Sequence, residues 1–315
     1  MRWVLGAGRT DVAVRRPEIV TAVLLVLLAG VMSSGLHVCV RYVSPELPTI
    51  EIVFLRSVFT ILIMLPFLLQ KGRVAWRSKR FDLQLMRGAI GVCSMTAWYY
   101  ALSVLPLADA GTLSFTTAIF VTVGAGVFFG EAVGLRRWSA VIIGLIGTLI
   151  VLKPDTGLLS IGAVAALGSS ILWASSLLLA KRLAAYDSSL TISFYQPLMI
   201  APWALLGALP FWIWPSVEVW LILFGMGALA AVGNFAYIHA LRLADASISM
   251  SADYVRLLWM VMWGYLLFSE IPAASTWIGA ALIVGSTLFI TWRESTLARR
   301  EAATGKNEPG RSRTV

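Results

Sequence analysis

The chain has 315 residues, of which 59% are apolar and 13% are charged. Ordinary soluble domains contain about 45 to 50% apolar and about 25% charged residues, so this composition excludes a soluble globular fold. The formal charge of +9 is spread over short loops and the termini instead of forming one basic patch. No nucleic-acid partner is therefore expected.

Apolar segments of nearly bilayer-spanning length recur along the whole chain. They predict ten transmembrane helices, in chain order at 19–40, 52–70, 88–105, 107–129, 138–152, 159–180, 190–210, 218–240, 246–268 and 274–292. None of these segments alternates apolar and polar residues with a period of two, as the strands of a membrane barrel do. An all-α integral membrane fold is therefore predicted. Residues 1–18 are predicted to be a cytoplasmic leader and residues 293–315 a disordered cytoplasmic tail.

The positions of the basic residues predict which helix ends face the cytoplasm. Most of the 25 Lys and Arg residues lie in the termini and in alternate loops, whereas the remaining loops hold only Arg41 and Lys153. Cytoplasmic segments carry the excess of positive charge in membrane proteins. Both termini are therefore predicted to be cytoplasmic, N-in and C-in.

The sequence contains an internal repeat. LADA at residues 107–110 returns at 243–246, and each copy precedes a predicted helix that ends in an acid, Glu131 or Glu270. Upstream, IVFLR at 52–56 aligns with ISFYQ at 192–196. The repeat predicts two five-helix halves, 19–153 and 159–292. Because five is odd, the second half is predicted to be inverted in the membrane, which is an arrangement typical of transporters.

These features resemble the EamA family of the drug/metabolite transporter superfamily. The LADA turn, the span ends FGE at 129–131 and SE at 269–270, and the paired halves carry the resemblance over roughly residues 20–292. It implies a secondary transporter of a small organic metabolite in the bacterial inner membrane, working by alternating access. The segment 253–268 looks most like subgroups associated with riboflavin or other cofactor-like metabolites, but family membership leaves the cargo and the direction of transport open.

Charged residues inside the predicted spans are the first candidates for contact with cargo. Each costs about 2.5 to 3.5 kcal/mol to insert at a helix centre, so such residues normally face a cavity or a partner. Arg256, with Arg56 across the cavity, is expected to bind a carboxylate or phosphate of the cargo. Asp253 lies three residues before Arg256 on the same helical face, so a local ion pair is the alternative interpretation.

Aromatic and amide side chains at similar depths are the second group of candidates. They can stack on a planar or zwitterionic metabolite and orient it, although interhelical packing explains them equally well. The predicted substrate-binding residues of this group are Trp98, Tyr99, Tyr100, Tyr195, Gln196, Asn234, Tyr237 and Trp259, with Trp173 as a further candidate.

Few residues are suited to proton coupling or gating. His37, His239 and Asp253 are the candidate proton carriers, and a packed neutral imidazole is the alternative for each histidine. Glu131 and Glu270 are candidate gating residues, since they end equivalent helices, and a simple acid at the membrane interface is the alternative for each. Cys39 and Cys93 fall inside spans and are expected to be small buried residues, with no disulfide, metal site or cofactor.

Two other function classes are considered. An integral-membrane enzyme has little support, because the sequence lacks an HExxH motif, a nucleophile motif and a Walker-type loop. A receptor or assembly scaffold is disfavoured because nearly all predicted loops of this chain are too short to form a docking surface. The expected function is transport of an anionic or zwitterionic metabolite. This metabolite is aromatic if the aromatic side chains named above stack on it. The expected partners are this small molecule, membrane lipid and a second copy in a homodimer.

Overall fold

The structure is a computed structural model that describes residues 16–70, 78–129, 135–152, 160–183, 185–243, 255–286 and 288–289. In this part of the chain every regular element is helical, as predicted. The helices are α1 (Arg16–Val43), α2 (Thr49–Gln70), α3 (Phe81–Val104), α4 (Leu107–Ser114), α5 (Thr116–Phe129), α6 (Leu135–Leu152), α7 (Ile161–Leu183), α8 (Ser189–Ala208), α9 (Val217–Leu243), α10 (Arg256–Phe268) and α11 (Ala274–Ser286), with a 3-10 turn at Leu209–Phe211.

Several of these helices have the length and composition of membrane spans. Five segments, within α1, α2, α7, α8 and α9, are long and apolar enough to cross a bilayer, and further helices are shorter but also apolar. Large apolar side chains point outward from the described helices. Examples that are more than half exposed are Leu24, Phe67, Leu206, Phe224 and Leu266. Such a surface is unfavourable in water and suits contact with lipid tails.

One predicted span is observed as two helices, and another is only partly described. The predicted helix 107–129 is divided into α4 and α5 by a turn at Phe115. Hydroxyls beside the break bond to nearby carbonyls, Ser114 to Gly111 at 2.7 Å and Thr116 to Leu113 at 2.6 Å. Such bonds compete with the regular helical ladder. Of the predicted helix 246–268, residues 246–254 lie outside the described part.

Contacts between helices follow the internal repeat. α1 packs mainly on α9, and α3 packs in the same way on α7. α2 contacts both α8 and α9, while α8 contacts both α2 and α3. If the equivalent helices of the two halves are exchanged, α1–α9 becomes α7–α3 and α2–α9 becomes α8–α3, while α2–α8 is unchanged. The main hydrophobic core lies among α1, α2, α3, α8 and α9. Its fully buried members include Ile52, Tyr99, Leu102, Ile200, Leu223 and Met226.

Glycines mark the equivalent helix crossings. A Cβ on Gly227 would lie 2.4 Å from the Cβ of Phe59, and one on Gly88 would lie 2.4 Å from the Cβ of Met199. Phe59 lies three residues after the segment 52–56, and Met199 lies three residues after the aligned segment 192–196. α6 and α11 approach similarly, because a Cβ on Gly279 would lie 2.6 Å from the carbonyl oxygen of Gly147. The helix backbones therefore come closest where no side chain intervenes.

Replacing Gly227 by Ala is expected to destabilise the protein by about 1 to 3 kcal/mol, because the added methyl overpacks the crossing with Phe59. Gly225→Ala is the matched control two residues away, since a Cβ there meets nothing within 4 Å among the described residues. The control should be neutral or stabilising by up to about 1 kcal/mol. Unfolding midpoints in detergent, followed by tryptophan fluorescence, measure both. Equal midpoints for the two variants would contradict this account of the crossing.

Candidate functional site

A small internal cavity lies where α2, α3, α7, α8 and α9 meet. Its volume is about 80 Å³. It is lined by Arg56, Thr60, Met95, Trp173, Gln196, Pro197, Ile200, Ala230 and Asn234. Arg56, Gln196 and Asn234 are among the residues selected from the sequence. Arg56 and Gln196 occupy aligned positions of the repeat, and so do Thr60 and Ile200. The cavity is therefore formed by corresponding segments of the two halves.

Arg56 brings a positive charge to the wall of this cavity. Its Nη1 donates to the Met95 sulfur at 3.0 Å, which is a weak acceptor. Its Nε is buried and has no hydrogen-bond partner among the described residues. Neither of the two ion pairs in the described part of the chain involves Arg56. The guanidinium thus retains donor capacity that the described protein does not use.

Gln196 accepts a hydrogen bond from a residue that was not selected from the sequence. The Arg87 side chain is 5% exposed, and its Nη2 donates to Gln196 Oε1 at 3.0 Å. Its Nη1 donates to the Ile192 carbonyl, also at 3.0 Å. Arg87 immediately precedes the predicted span 88–105. Its position beside Gly88, where α3 comes close to α8, is the signal that could have identified it.

His37 of α1 lies near the cations of two other helices. Its Nε2 accepts a hydrogen bond from the Trp98 indole at 3.2 Å, and its Nδ1 is buried without a partner among the described residues. An accepting Nε2 places the proton of a neutral imidazole on Nδ1. The positive charges of Arg56 and Arg256 both act on this ring. Four residues selected from the sequence, His37, Trp98, Arg56 and Arg256, are therefore brought together.

Arg256 is the first residue of α10 and contacts the break between α4 and α5. Its Nη2 donates to Ser114 Oγ at 3.4 Å, and its guanidinium lies 5.3 Å from the centre of the Phe115 ring. A Cβ on Gly30 would lie 3.6 Å from the Arg256 Cβ, so α1 is also close. Asp253 lies outside the described residues, and its predicted ion pair with Arg256 stays a prediction.

Other selected aromatic residues lie away from the cavity. Tyr99 is buried in the main core with its hydroxyl near Arg56. Tyr100 lines a separate, wide groove that also contains Cys93 and Trp203. Cys93 is exposed in this groove, so the expectation that it is buried was wrong, because this face of α3 is not covered by another described helix. Cys39 is partly buried.

The remaining selected residues make packing contacts outside the cavity, and their predicted roles stay predictions. Tyr195 makes an edge contact with Phe81, with ring centres 6.4 Å apart. Tyr237 packs against a small cluster of α1 and α9, and Trp259 lies beside Gly30. His239 is exposed and stacks on Phe235, with ring centres 5.9 Å apart. None of these side chains lines the cavity.

Glu270 ties together several helix connections at one end of α2. It forms an ion pair of 2.6 Å with Arg41 and accepts a hydrogen bond from the Leu107 N–H at 2.8 Å. Arg41 also donates to the Leu105 carbonyl and lies over the Phe268 ring at 5.0 Å. The ends of α1, α3 and α10 are thereby joined. Glu131, the other gating candidate, lies outside the described residues.

The position of Glu270 follows from the way α10 ends. Ser269 adopts a left-handed conformation with φ of 54°, which is uncommon for a residue other than glycine. The Glu270 N–H then donates to the Gly264 carbonyl at 3.0 Å, which closes the last helical turn. The chain turns sharply at this point and directs the carboxylate toward Arg41.

Further polar contacts close both ends of the bundle. At the same end of α2 as Glu270, the fully buried Glu51 accepts a hydrogen bond from the Ile213 N–H at 3.1 Å. Glu51 was not selected from the sequence, because it immediately precedes the predicted span. At the opposite end of α2, Asp187 accepts from the Lys79 N–H at 2.8 Å and from the Gln84 amide at 3.1 Å. The small cavity lies between these two sets of contacts.

The chain is similar to known membrane transporters over most of its length. The profile of the EamA-like transporter family matches residues 20–153 and 160–292. A riboflavin transporter of Vibrio cholerae is 34% identical over 283 residues, which cover 88% of this chain and 95% of that protein. An S-adenosylmethionine uptake transporter of Rickettsia felis is 28% identical over 87% of this chain and 94% of its own length. A pseudopaline exporter of Pseudomonas aeruginosa is 30% identical over 84% and 93%.

A solved structure supports the fold. A crystal structure with 18% sequence identity superposes with a TM-score of 0.62 and covers 89% of this chain and 97% of that chain. At this level of identity the likeness concerns the fold alone. The family match covers both halves of the repeat and most of the chain. This chain therefore belongs to the EamA-like transporter family, within the drug/metabolite transporter superfamily, and is a membrane transporter of metabolites.

Proposed function

We propose that this protein carries a small metabolite rich in hydrogen-bond acceptors across the bacterial inner membrane, with riboflavin as the first cargo to test. The observation that carries the proposal is the Arg56 guanidinium, which lines the cavity without a counter-ion among the described residues. A partly buried cation is costly unless an acceptor compensates it. A carbonyl or carboxylate of the cargo supplies that acceptor, and no catalytic step is needed.

The surroundings of Arg56 favour a neutral or anionic cargo over a cationic one. Gln196 and Asn234 add polar groups to the wall, and Trp173 adds an aromatic surface. A flavin offers ring carbonyls to the polar groups and a flat ring system for stacking. S-adenosylmethionine is the second candidate because of the relatives named for its uptake. Its sulfonium would be repelled by Arg56, although its carboxylate would be attracted.

The cavity is smaller than its proposed cargo. Ligand pockets usually enclose about 300 to 1,000 Å³, whereas this cavity encloses about 80 Å³. The contacts of Glu270 and Asp187 on either side fit an occluded conformation of a carrier. The proposed carrier has ten transmembrane helices, with both termini in the cytoplasm and the second half inverted relative to the first. Two inverted halves can exchange conformations and so open the cavity to each side in turn.

Replacing Arg56 by Gln is expected to raise the KM for riboflavin about 10- to 100-fold, since a charge-assisted hydrogen bond contributes about 1.5 to 3 kcal/mol. The measurement is uptake of labelled riboflavin into proteoliposomes that contain the purified protein. Arg80→Gln is the matched control, because Arg80 is a half-buried residue that pairs with Asp82 at 2.7 Å outside the cavity. No riboflavin uptake by the wild-type protein would refute this cargo. Unchanged KM in Arg56→Gln would refute the role of Arg56.

Replacing Glu270 by Gln is expected to open the end of the bundle that Arg41 and Glu270 close, because the amide keeps an acceptor for Leu107 but loses the ion pair. The reporter is Val40→Cys, a fully buried position one residue before Arg41, in a chain that also carries Cys39→Ser and Cys93→Ser. Its labelling by a maleimide should become about five- to tenfold faster, which corresponds to about 1 to 1.4 kcal/mol.

Glu218→Gln is the control for this experiment. Glu218 accepts an exposed hydrogen bond from the Tyr42 hydroxyl at 3.1 Å at the same end of the bundle, but it joins none of the connections that Glu270 joins. This variant should leave the labelling rate of the Cys reporter unchanged. Equal rates for the Glu270 and Glu218 variants would show that the ion pair does not restrain this end.

A further inference from the structure

The buried guanidinium of Arg87 is a strong polar group, bonded to a residue that lines the cavity, that the proposed function does not yet use. It belongs to α3 but makes both of its hydrogen bonds with α8, to the Ile192 carbonyl and to Gln196 Oε1, each at 3.0 Å. It forms neither of the ion pairs of the described residues. Burying a cation without a counter-ion costs free energy. The presence of Arg87 at this position therefore calls for a role, and its hydrogen bond to Gln196 suggests one.

The chemistry of the guanidinium determines how the Gln196 amide is oriented. Arginine offers only donors, so the group facing it must be the amide oxygen and not the nitrogen. With Oε1 engaged by Arg87, the NH₂ group is the part of the amide left for the cavity that Gln196 lines. The cavity therefore receives donors from both members of the aligned pair, Arg56 and Gln196.

The local helix geometry supports this arrangement. Pro197 follows Gln196 within α8 and cannot donate a backbone hydrogen bond, which loosens the preceding turn. Arg87 supplies a side-chain donor to the Ile192 carbonyl in that turn. Close approach of the two helices is possible because Gly88, the next residue of α3, has no side chain against Met199. The same crossing thus holds the turn and the amide in one position.

We propose that Arg87 is a positioning residue that fixes the donor face of Gln196 toward the cavity, so that the transporter selects cargo presenting a carbonyl or carboxylate there. The proposal rests on the proposed function, because it names the chemistry that the same cavity recognises. Arg87 does not touch the cargo. It acts by preventing the amide from turning its oxygen inward, where it would accept hydrogen bonds from amino groups.

The test is a double-substitution cycle with Arg87→Met and Gln196→Met, using riboflavin binding to the purified protein measured by quenching of flavin fluorescence. Each single variant should weaken binding about tenfold, and the double variant should be no weaker than Gln196→Met alone. Arg80→Met, at a half-buried position that does not line the cavity, should bind riboflavin like the wild type. If Arg87→Met weakens binding by the same factor with and without Gln196, then Arg87 acts only on the general structure and the proposal fails.

A second variant tests the amide orientation while leaving Arg87 intact. Gln196→Glu presents an acceptor in place of the NH₂ donor, since both carboxylate oxygens accept. It should weaken riboflavin binding about tenfold more than Gln196→Met does. Equal affinities of the two variants would overturn the proposal. This comparison remains decisive if Arg87→Met does not fold.

The failure of the proposed cargo can be distinguished from the failure of this inference. Absence of riboflavin binding by a folded wild-type protein refutes the cargo. The same cycle is then measured by unfolding midpoints in detergent, where loss of the Arg87–Gln196 hydrogen bond makes the effects of the two substitutions non-additive. Additive midpoint shifts would overturn the inference whatever the cargo is, and non-additive shifts would support it.

Discussion

The fold depends on the need to satisfy polar groups in a solvent that offers no hydrogen bonds. Backbone groups are paired inside helices, and hydroxyls such as those of Ser57 and Thr60 bond back to carbonyls of their own helix at 2.6 and 2.8 Å. Cationic side chains cannot be satisfied within their own helix in this way. Arg87 and Arg256 instead reach acceptors on other helices, and Arg41 reaches Glu270 in the connection that follows α10. Their contacts decide where helices are joined, and Arg56 lines the cavity where the halves meet.

The sequence predicted the class of fold because the constraint from lipid acts on composition and on segment length. It also predicted the repeat, since aligned residues such as Arg56 and Gln196 keep their spacing in both halves. The break at Phe115 was not predictable by the same means. Hydrophobicity is continuous through it, and the hydroxyl bonds beside it depend on local geometry.

For the site, charge and depth in the span selected residues that the structure brings together, as with His37, Arg56 and Arg256. Aromatic character alone was a poor guide. Neighbouring side chains on a helix point in different directions, so that Tyr99 enters the core while Tyr100 lines an outer groove. Arg87 was missed because its place at a predicted span boundary made it resemble a loop residue, although α3 already begins at Phe81.

The contact between α6 and α11 has a consequence for the energetics of the two halves. Gly147 and Gly279 each come from the last helix of their half, and each backbone faces the other without an intervening side chain. A Cβ on Gly147 would lie 2.8 Å from the Leu282 Cβ, and one on Gly279 would lie 2.6 Å from the Gly147 carbonyl oxygen. The separation of these two last helices is therefore set by their backbones. A single methyl group added at either glycine would force the helices apart, so the contact between the halves is sensitive to changes as small as Gly→Ala.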